Sequence, residues 1–256
     1  MTNDRRVLVH SGKPALASAV AARFITKVLD LLDEKPELHI ALTGGSMGIA
    51  VLDAIRHSPA SDTIAWDRLH FWWGDDRWVP GGDRERNDAQ AWEALLDHVP
   101  VDAAKVHAMP ASDSGLDLDA AADAYAATLR EFATGDDEHP VFDIAFLGVG
   151  PDGHIASLFP HRSGIGVTDR TVVPVRRSPK PPPERLSLTR PVLNAADRIW
   201  MVLAGSDKAS ALGLALAGAS RDEVPVAGIK GRRRTVFFVD GDAAAEVPPQ
   251  LIAPDY

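Results

Sequence analysis

Along the chain, short runs of consecutive apolar residues alternate with longer stretches in which apolar side chains recur every three or four positions. The first pattern suits strands buried on both faces, and the second suits helices packed on one side. A strand is predicted over 7–10, followed by a helix over 14–32 in which Leu16, Val20, Phe24, Val28 and Leu31 share a face. Pro14 suits its first turn. A strand over 38–42 runs into Thr43-Gly44-Gly45-Ser46 and a helix carrying Ile49, Leu52 and Ile55. A strand over 69–73 opens into a polar loop, after which Asn87 or Asp88 can cap a helix carrying Trp92, Leu95 and Leu96. A helix over 118–132 precedes a strand over 142–147, whose unbroken apolar character suits the middle of a sheet.

The segment Ser178-Pro179-Lys180-Pro181-Pro182-Pro183 cannot be helical and reads as an extended linker or a rigid pocket edge. The edge is favoured, because another strand (199–204) and helix (206–216) follow it before a last strand over 235–239. This alternation predicts an α/β fold of three layers, α/β/α, with a largely parallel sheet. It is read as one domain over 1–256, without internal repeats.

Composition narrows the function. With 256 residues and 45% hydrophobic content, the chain can bury a large core. It has no cysteine, so disulfides and thiolate chemistry are excluded; its nine histidines show no H-E-x-x-H spacing, and no metal site is expected. Residues 1–6 lead into only a short apolar run, and no stretch approaches the roughly 20 apolar residues of a membrane span. A cytoplasmic protein without a membrane partner is expected. The formal charge of −9 argues against nucleic acid, and Arg232-Arg233-Arg234 is too short to reverse that. An anionic substrate would need a local cluster of donors. Oligomeric state is not legible here, and a monomer is compatible with the sequence.

The candidate chemistry lies in loops that follow the strands. Gly148-Val149-Gly150-Pro151-Asp152-Gly153-His154 carries an acid and an imidazole on a turn whose glycines, Gly150 and Gly153 among them, let backbone approach a ligand. Thr43-Gly44-Gly45-Ser46 joins a strand to a helix, so its N–H groups and hydroxyls can cradle a phosphate. Asp75-Asp76-Arg77 sets carboxylates and a guanidinium at the carboxyl edge of the sheet, where open α/β folds bind ligands. Lys208, opening the helix after strand 199–204, can reach the same edge.

Each motif has a plainer reading: a serine helix cap, a surface ion pair, a solvated lysine. Two sharper rivals also exist. Gly44-Gly45-Ser46-Met47-Gly48 satisfies the G-x-S-x-G of serine esterases, but those place their histidine late in the chain and none follows His161 here. Residues 148–153 satisfy the dinucleotide pattern G-x-G-x-x-G, yet Pro160 interrupts the helix that a Rossmann turn requires, and His154 would crowd a pyrophosphate.

Taken together, Thr43-Gly44-Gly45-Ser46, the loop from Asp75 to Pro80 with Asn87 following, the stretch from Gly148 to Pro160, Arg185-Leu186-Ser187-Leu188-Thr189 with Leu193-Asn194, and Gly205-Ser206-Asp207-Lys208-Ala209 resemble the 6-phosphogluconolactonase family. That family is grouped with glucosamine-6-phosphate deaminases and ribose-5-phosphate isomerases. The deaminase branch continues its glycine loop with Phe-Asn-Glu-Pro, whereas this chain has Ser157-Leu158-Phe159-Pro160, the lactonase continuation. Departures are Asp75-Asp76-Arg77 in place of Asp-Glu-Arg, and Pro225-Val226 in place of Pro-Ala.

The resemblance implies a Rossmann-like core and cofactor-free hydrolysis of 6-phospho-D-glucono-1,5-lactone in the oxidative pentose phosphate pathway. It implies His154 as general base, with Asp152 orienting it or binding hydroxyls and loop N–H groups facing the oxyanion. Thr43, Gly44, Gly45, Ser46, Arg77 and Lys208 would hold the phosphate. Asp75 would bind a hydroxyl or clamp Arg77, and Arg185 is a further candidate at the rim. A deaminase or isomerase, or a sugar-phosphate-binding regulator without catalysis, is the alternative.

Overall fold

Every strand of the central sheet divides its side chains between two separate apolar cores, one on each face, and that division makes the three layers. The computed structural model describes residues 4–252, so both ends of the domain read over 1–256 lie outside the described residues. In chain order the elements are β1 (Asp4–His10), α1 (Lys13–Glu34), β2 (Leu38–Leu42), α2 (Gly45–Arg56), β3 (Leu69–Trp73), β4 (Asp75–Arg77), α3 (Asn87–Ala94), α4 (Leu118–Glu131), β5 (Ile144–Gly148), β6 (Val172–Val175), β7 (Arg185–Leu188), α5 (Arg190–Asn194), β8 (Arg198–Leu203), α6 (Ala209–Leu216) and β9 (Arg234–Asp240). The central sheet is parallel throughout, in the order β1-β9-β8-β5-β2-β3.

On β5, Ile144 and Phe146 face the core shared with α1, α2 and α3, while Ala145 and Leu147 face the one shared with α4, α5 and α6. The predicted stripe of α1 is buried along its whole length, from Leu16 to Leu31; each fully buried large side chain there contributes about 1.5–3 kcal/mol. No described helix is long and apolar enough to cross a membrane.

The predicted α/β architecture is present, with two departures. A second, antiparallel sheet, β4-β7-β6, forms from segments too short and mixed to show strand periodicity. It packs on α4 through Val172, Val173, Leu186 and Leu188. The second departure is the start of α3. Neither Asn87 nor Asp88 caps it; Arg86 holds the N-cap position without a side-chain bond. The cap comes instead from β4, where the Asp76 carboxylate accepts from the backbone N–H of Asn87 (2.7 Å) and, more weakly, of Asp88 (3.4 Å). Arg86, itself buried, pairs with Asp76 at 3.2 Å and Asp88 at 2.7 Å. Burial raises the Asp76 carboxyl pKa, opposed by Arg86 and the backbone donors.

Toward the amino ends of β2 and β3, remote from the glycine loops, three imidazoles stack beside Trp72. His39 and His70 lie 4.7 Å apart, and His107 lies 3.9 Å from the indole. Burial, followed by neighbouring charge, pushes His39 and His107 down to about 4. In an unfolded chain they would titrate near 6.5, so between those values the unfolded state binds more protons. Stability is therefore expected to fall as pH drops from about 6.5 to about 4, by an amount on the order of a few kcal/mol. Calorimetry across that window checks this. Resonances of His39 and His107 that titrate near 6.5 in the folded protein would remove the cause.

Candidate active site

The strand order reverses direction between β2 and β5: from β2 the chain moves outward to β3, and from β5 it moves the other way to β8 and β9. Open α/β sheets bind ligands in the crevice at such a reversal, at the carboxyl ends of the strands. Here the loops after β2, β3, β5 and β8 meet around a cavity of about 270 Å³.

The loop after β2 supplies Thr43, Gly44 and Gly45 to its lining. Gly44 is the N-cap of α2 and offers no side chain, so no side-chain hydrogen bond caps the first N–H groups of that 12-residue helix. A glycine is required there, because a Cβ would lie 1.9 Å from Asn87 Oδ1. Thr43 Oγ1 accepts from the Gly148 N–H at 3.2 Å, joining this loop to the end of β5. Ser46 is exposed, lies inside the helix and is absent from the lining. It is neither a helix cap nor placed beside His154 as an esterase nucleophile would be.

The loop after β5 closes on itself. The Gly150 N–H donates to His154 O and the Gly153 N–H to Gly150 O, both at 2.9 Å. These two N–H groups are therefore engaged within the turn and are not free to face an oxyanion. Gly153 holds φ +76° and is turned away from the cavity toward Val224, whose Cγ1 would lie 2.6 Å from an added Cβ. The Val226 N–H donates to Gly153 O at 3.0 Å, so the Pro225-Val226 segment buttresses this loop.

His154 lines the cavity, with 15% of its side chain exposed. Its Nδ1 lies 2.5 Å from Asp152 Oδ1. Partial burial alone would raise the Asp152 carboxyl, but the hydrogen bond and charge of His154, together with Lys180, outweigh it and hold that group down at about 2. An ionised carboxylate can only accept, so in the neutral imidazole the proton belongs on Nδ1 and the lone pair on Nε2. Asp152 touches the imidazole and not the cavity.

From β4 come Asp75 and Arg77. Asp75 does not clamp Arg77. Its Oδ2 accepts from Ser157 Oγ at 2.6 Å and its Oδ1 from Asn87 Nδ2 at 3.2 Å, tying β4 to the loop beyond His154. Arg77 Nη1 donates to Glu85 O, whereas Arg77 Nε and Asn87 Oδ1 are buried without a hydrogen-bond partner.

Lys208 stands at the N-cap of α6, after a 3-10 turn over Ser206–Lys208, so the helix begins one turn later than predicted. Its ammonium pairs with Asp207 at 2.9 Å and lines the cavity. The proline segment forms one edge, through Lys180 and Pro181. Arg185 lines the cavity from its inner wall: it is 4% exposed and donates to the carbonyls of Lys180, Pro181 and Pro182 at 2.9–3.1 Å. Burial first, then Lys208 and Arg185, lower the Lys180 ammonium pKa, while Asp152 opposes them. Sequence reasoning left Lys180 and Asn87 out of the site; the fold brings both to its wall. Among the described residues no group of three or more His, Cys, Asp or Glu could hold a metal ion.

A family model described as glucosamine-6-phosphate isomerases/6-phosphogluconolactonase matches residues 11–238. The chain belongs to that family. Family members similar to it include proteins named 6-phosphogluconolactonase from Streptomyces coelicolor, 47% identical with 99% of each chain covered, and from Mycobacterium tuberculosis, 43% identical with 91% of this chain and 94% of the relative covered. Among solved structures, the 6-phosphogluconolactonase of Thermotoga maritima superposes with a TM-score of 0.81 at 26% identity, over 93% of this chain and 100% of that one.

Proposed function

We propose that this member of the family hydrolyses 6-phospho-D-glucono-1,5-lactone to 6-phospho-D-gluconate, the lactone-opening step of the oxidative pentose phosphate pathway, with His154 as general base. The observation that carries this reading is a single cavity lined both by an imidazole paired to an ionised carboxylate and by an uncapped helix N-terminus with nearby cations. The relatives' shared name supports the same substrate.

In this mechanism His154 Nε2 takes a proton from water as the oxygen adds to the C1 carbonyl. Collapse of the adduct breaks the bond between C1 and the ring oxygen, which receives the proton from His154 and becomes the C5 hydroxyl. A δ-lactone is an activated ester, so no acyl-enzyme is needed, in keeping with the position of Ser46 outside the cavity. Asp152 holds the tautomer and stabilises the transient imidazolium.

The phosphate sits at the N-terminus of α2, between Arg77 and Lys208. Lys180, near the base, supplies positive charge for the developing oxyanion in place of the engaged loop N–H groups. Asp75 acts as a positioning residue, fastened to Ser157 and Asn87.

Release of acid from freshly generated lactone, faster than its spontaneous opening, tests the activity; absence of that excess rate overturns it. The parallel measurement of ammonia release from glucosamine 6-phosphate tests the deaminase alternative. Lys208→Ala is expected to raise KM about 10- to 100-fold, since a charge-assisted hydrogen bond is worth ~1.5–3 kcal/mol. Because the phosphate is held alike in ground and transition states, kcat should change by less than about threefold. An unchanged KM would remove Lys208 from the phosphate site.

A further inference from the structure

Phe159 is a wall between two cavities. On the reaction side its ring centroid lies 4.6 Å from that of His154, and the Arg185 guanidinium stands 5.8 Å over it. On its other side Phe159 lines a second cavity of about 380 Å³, in which Ser178 and Pro179 stand directly ahead of Lys180 and Pro181 of the reaction site. Four arginines, Arg162, Arg170, Arg176 and Arg177, line this second cavity against one carboxylate, Asp169.

That excess of positive charge is notable on a chain of formal charge −9. Arg176 pairs with Asp119 outside the lining, whereas Arg162, Arg170 and Arg177 make no side-chain ion pair among the described residues. Arg177 is also held at φ 54°, a left-handed conformation that is unfavourable for a non-glycine residue and that clusters at functional sites. Phe159, Val173 and Pro179 add apolar surface to the same cavity.

We propose that this cavity is a second anion site, which takes a small phosphorylated molecule with a flat apolar body, and that its occupant acts on the reaction site through Phe159 and the 178–181 strap. Guanidinium forks match phosphate oxygens in pairs, and their faces stack on planar groups, while the apolar wall accommodates the rest of such a ligand. An occupant touches the ring against which His154 packs and the strap that carries Lys180, so its binding changes the placement of both. The binding stands by itself; the coupling rests on the lactonase reading.

The experiment is calorimetric titration of the full chain with ADP, which carries a diphosphate and a flat base, in the presence of saturating 6-phosphogluconate. Inorganic pyrophosphate serves as the comparison. One ADP is expected to bind per chain, more tightly than pyrophosphate. Replacing two guanidiniums, Arg162→Ser with Arg177→Ser, should weaken it by about tenfold or more while leaving the turnover rate without ADP unchanged. ADP should shift the Kd for 6-phosphogluconate, and 6-phosphogluconate the Kd for ADP, by the same factor, as linked sites require, and ADP should also shift the KM for lactone.

No ADP binding at millimolar concentration, or binding that the double variant does not weaken, overturns the site. Displacement by 6-phosphogluconate that grows without limit assigns the nucleotide to the reaction cavity and also overturns it. Pyrophosphate binding as tightly as ADP removes the apolar body, and an unshifted KM removes the coupling. If 6-phosphogluconate itself fails to bind, the lactonase reading fails separately, and the ADP titration still reports on the second cavity.

Discussion

His154→Ala is expected to lower kcat for the phosphorylated lactone by about 10²–10⁴-fold, the usual contribution of a positioned general base. KM should stay within about twofold, because the proposed phosphate anchors lie on other loops and would bind substrate and transition state alike. The imidazole is partly exposed and pairs only with Asp152, so its removal leaves no buried charge, and the folded state should be retained. The measurement is steady-state acid release with freshly generated lactone, corrected for spontaneous opening, beside a thermal melt. Turnover near the parent rate in a folded variant would exclude His154 as the base.

Gly150→Ala is expected to be almost as damaging, although the added group is a single methyl. A Cβ at this position would lie 2.0 Å from His154 Cε1 and Nδ1 and 2.6 Å from Asp152 Oδ1, well inside contact distance of both members of the pair. Both are side-chain atoms, so the imidazole and the carboxylate must swing away and the backbone can stay. The expected result is a loss of kcat of about 10²-fold or more with a near-normal melting temperature, since misplacing a catalytic group by about 1 Å costs that much. The histidine resonances should report the change as well: with its Asp152 contact broken, His154 would no longer keep its proton on Nδ1. Parental kcat in this variant would mean that the observed pairing of His154 with Asp152 is not the one used in catalysis.

The residues that carried the fold in the sequence are those whose environment is set locally. Continuous apolar runs such as 144–147 can only be central strands, and the stripe from Leu16 to Leu31 can only be a packed helix face, so both were readable. The small sheet was not. Asp75-Asp76-Arg77 is a strand only because it pairs with residues 185–187, more than a hundred positions away, and polar triplets carry no period of their own.

The site divides in the same way. Thr43, Gly44, Gly45, Asp75, Arg77, Gly150, His154 and Lys208 follow soon after the central strands β2, β3, β5 and β8, and all line the cavity. Asn87 and Lys180 reach it from a helix start and a proline strap, positions that depend on tertiary packing. Ser46 and Gly153 were named with their motifs, but α2 turns the one outward and the positive φ of the other turns it toward Val224. Arg185, a candidate for the rim, does line the cavity, but its grip on the strap was hidden because its acceptors are backbone carbonyls, which no residue pattern reveals.

The bond from the Gly148 N–H to Thr43 Oγ1 gives the crevice a fixed gauge. It ties the start of α2, where the phosphate docks in the proposed reading, to the end of the strand that leads to the imidazole, so the span between them is set by the sheet. On that reading a lactone one carbon shorter would seat its phosphate and hold its carbonyl out of reach, so that chain length, more than the pattern of hydroxyls, would decide which lactone reacts.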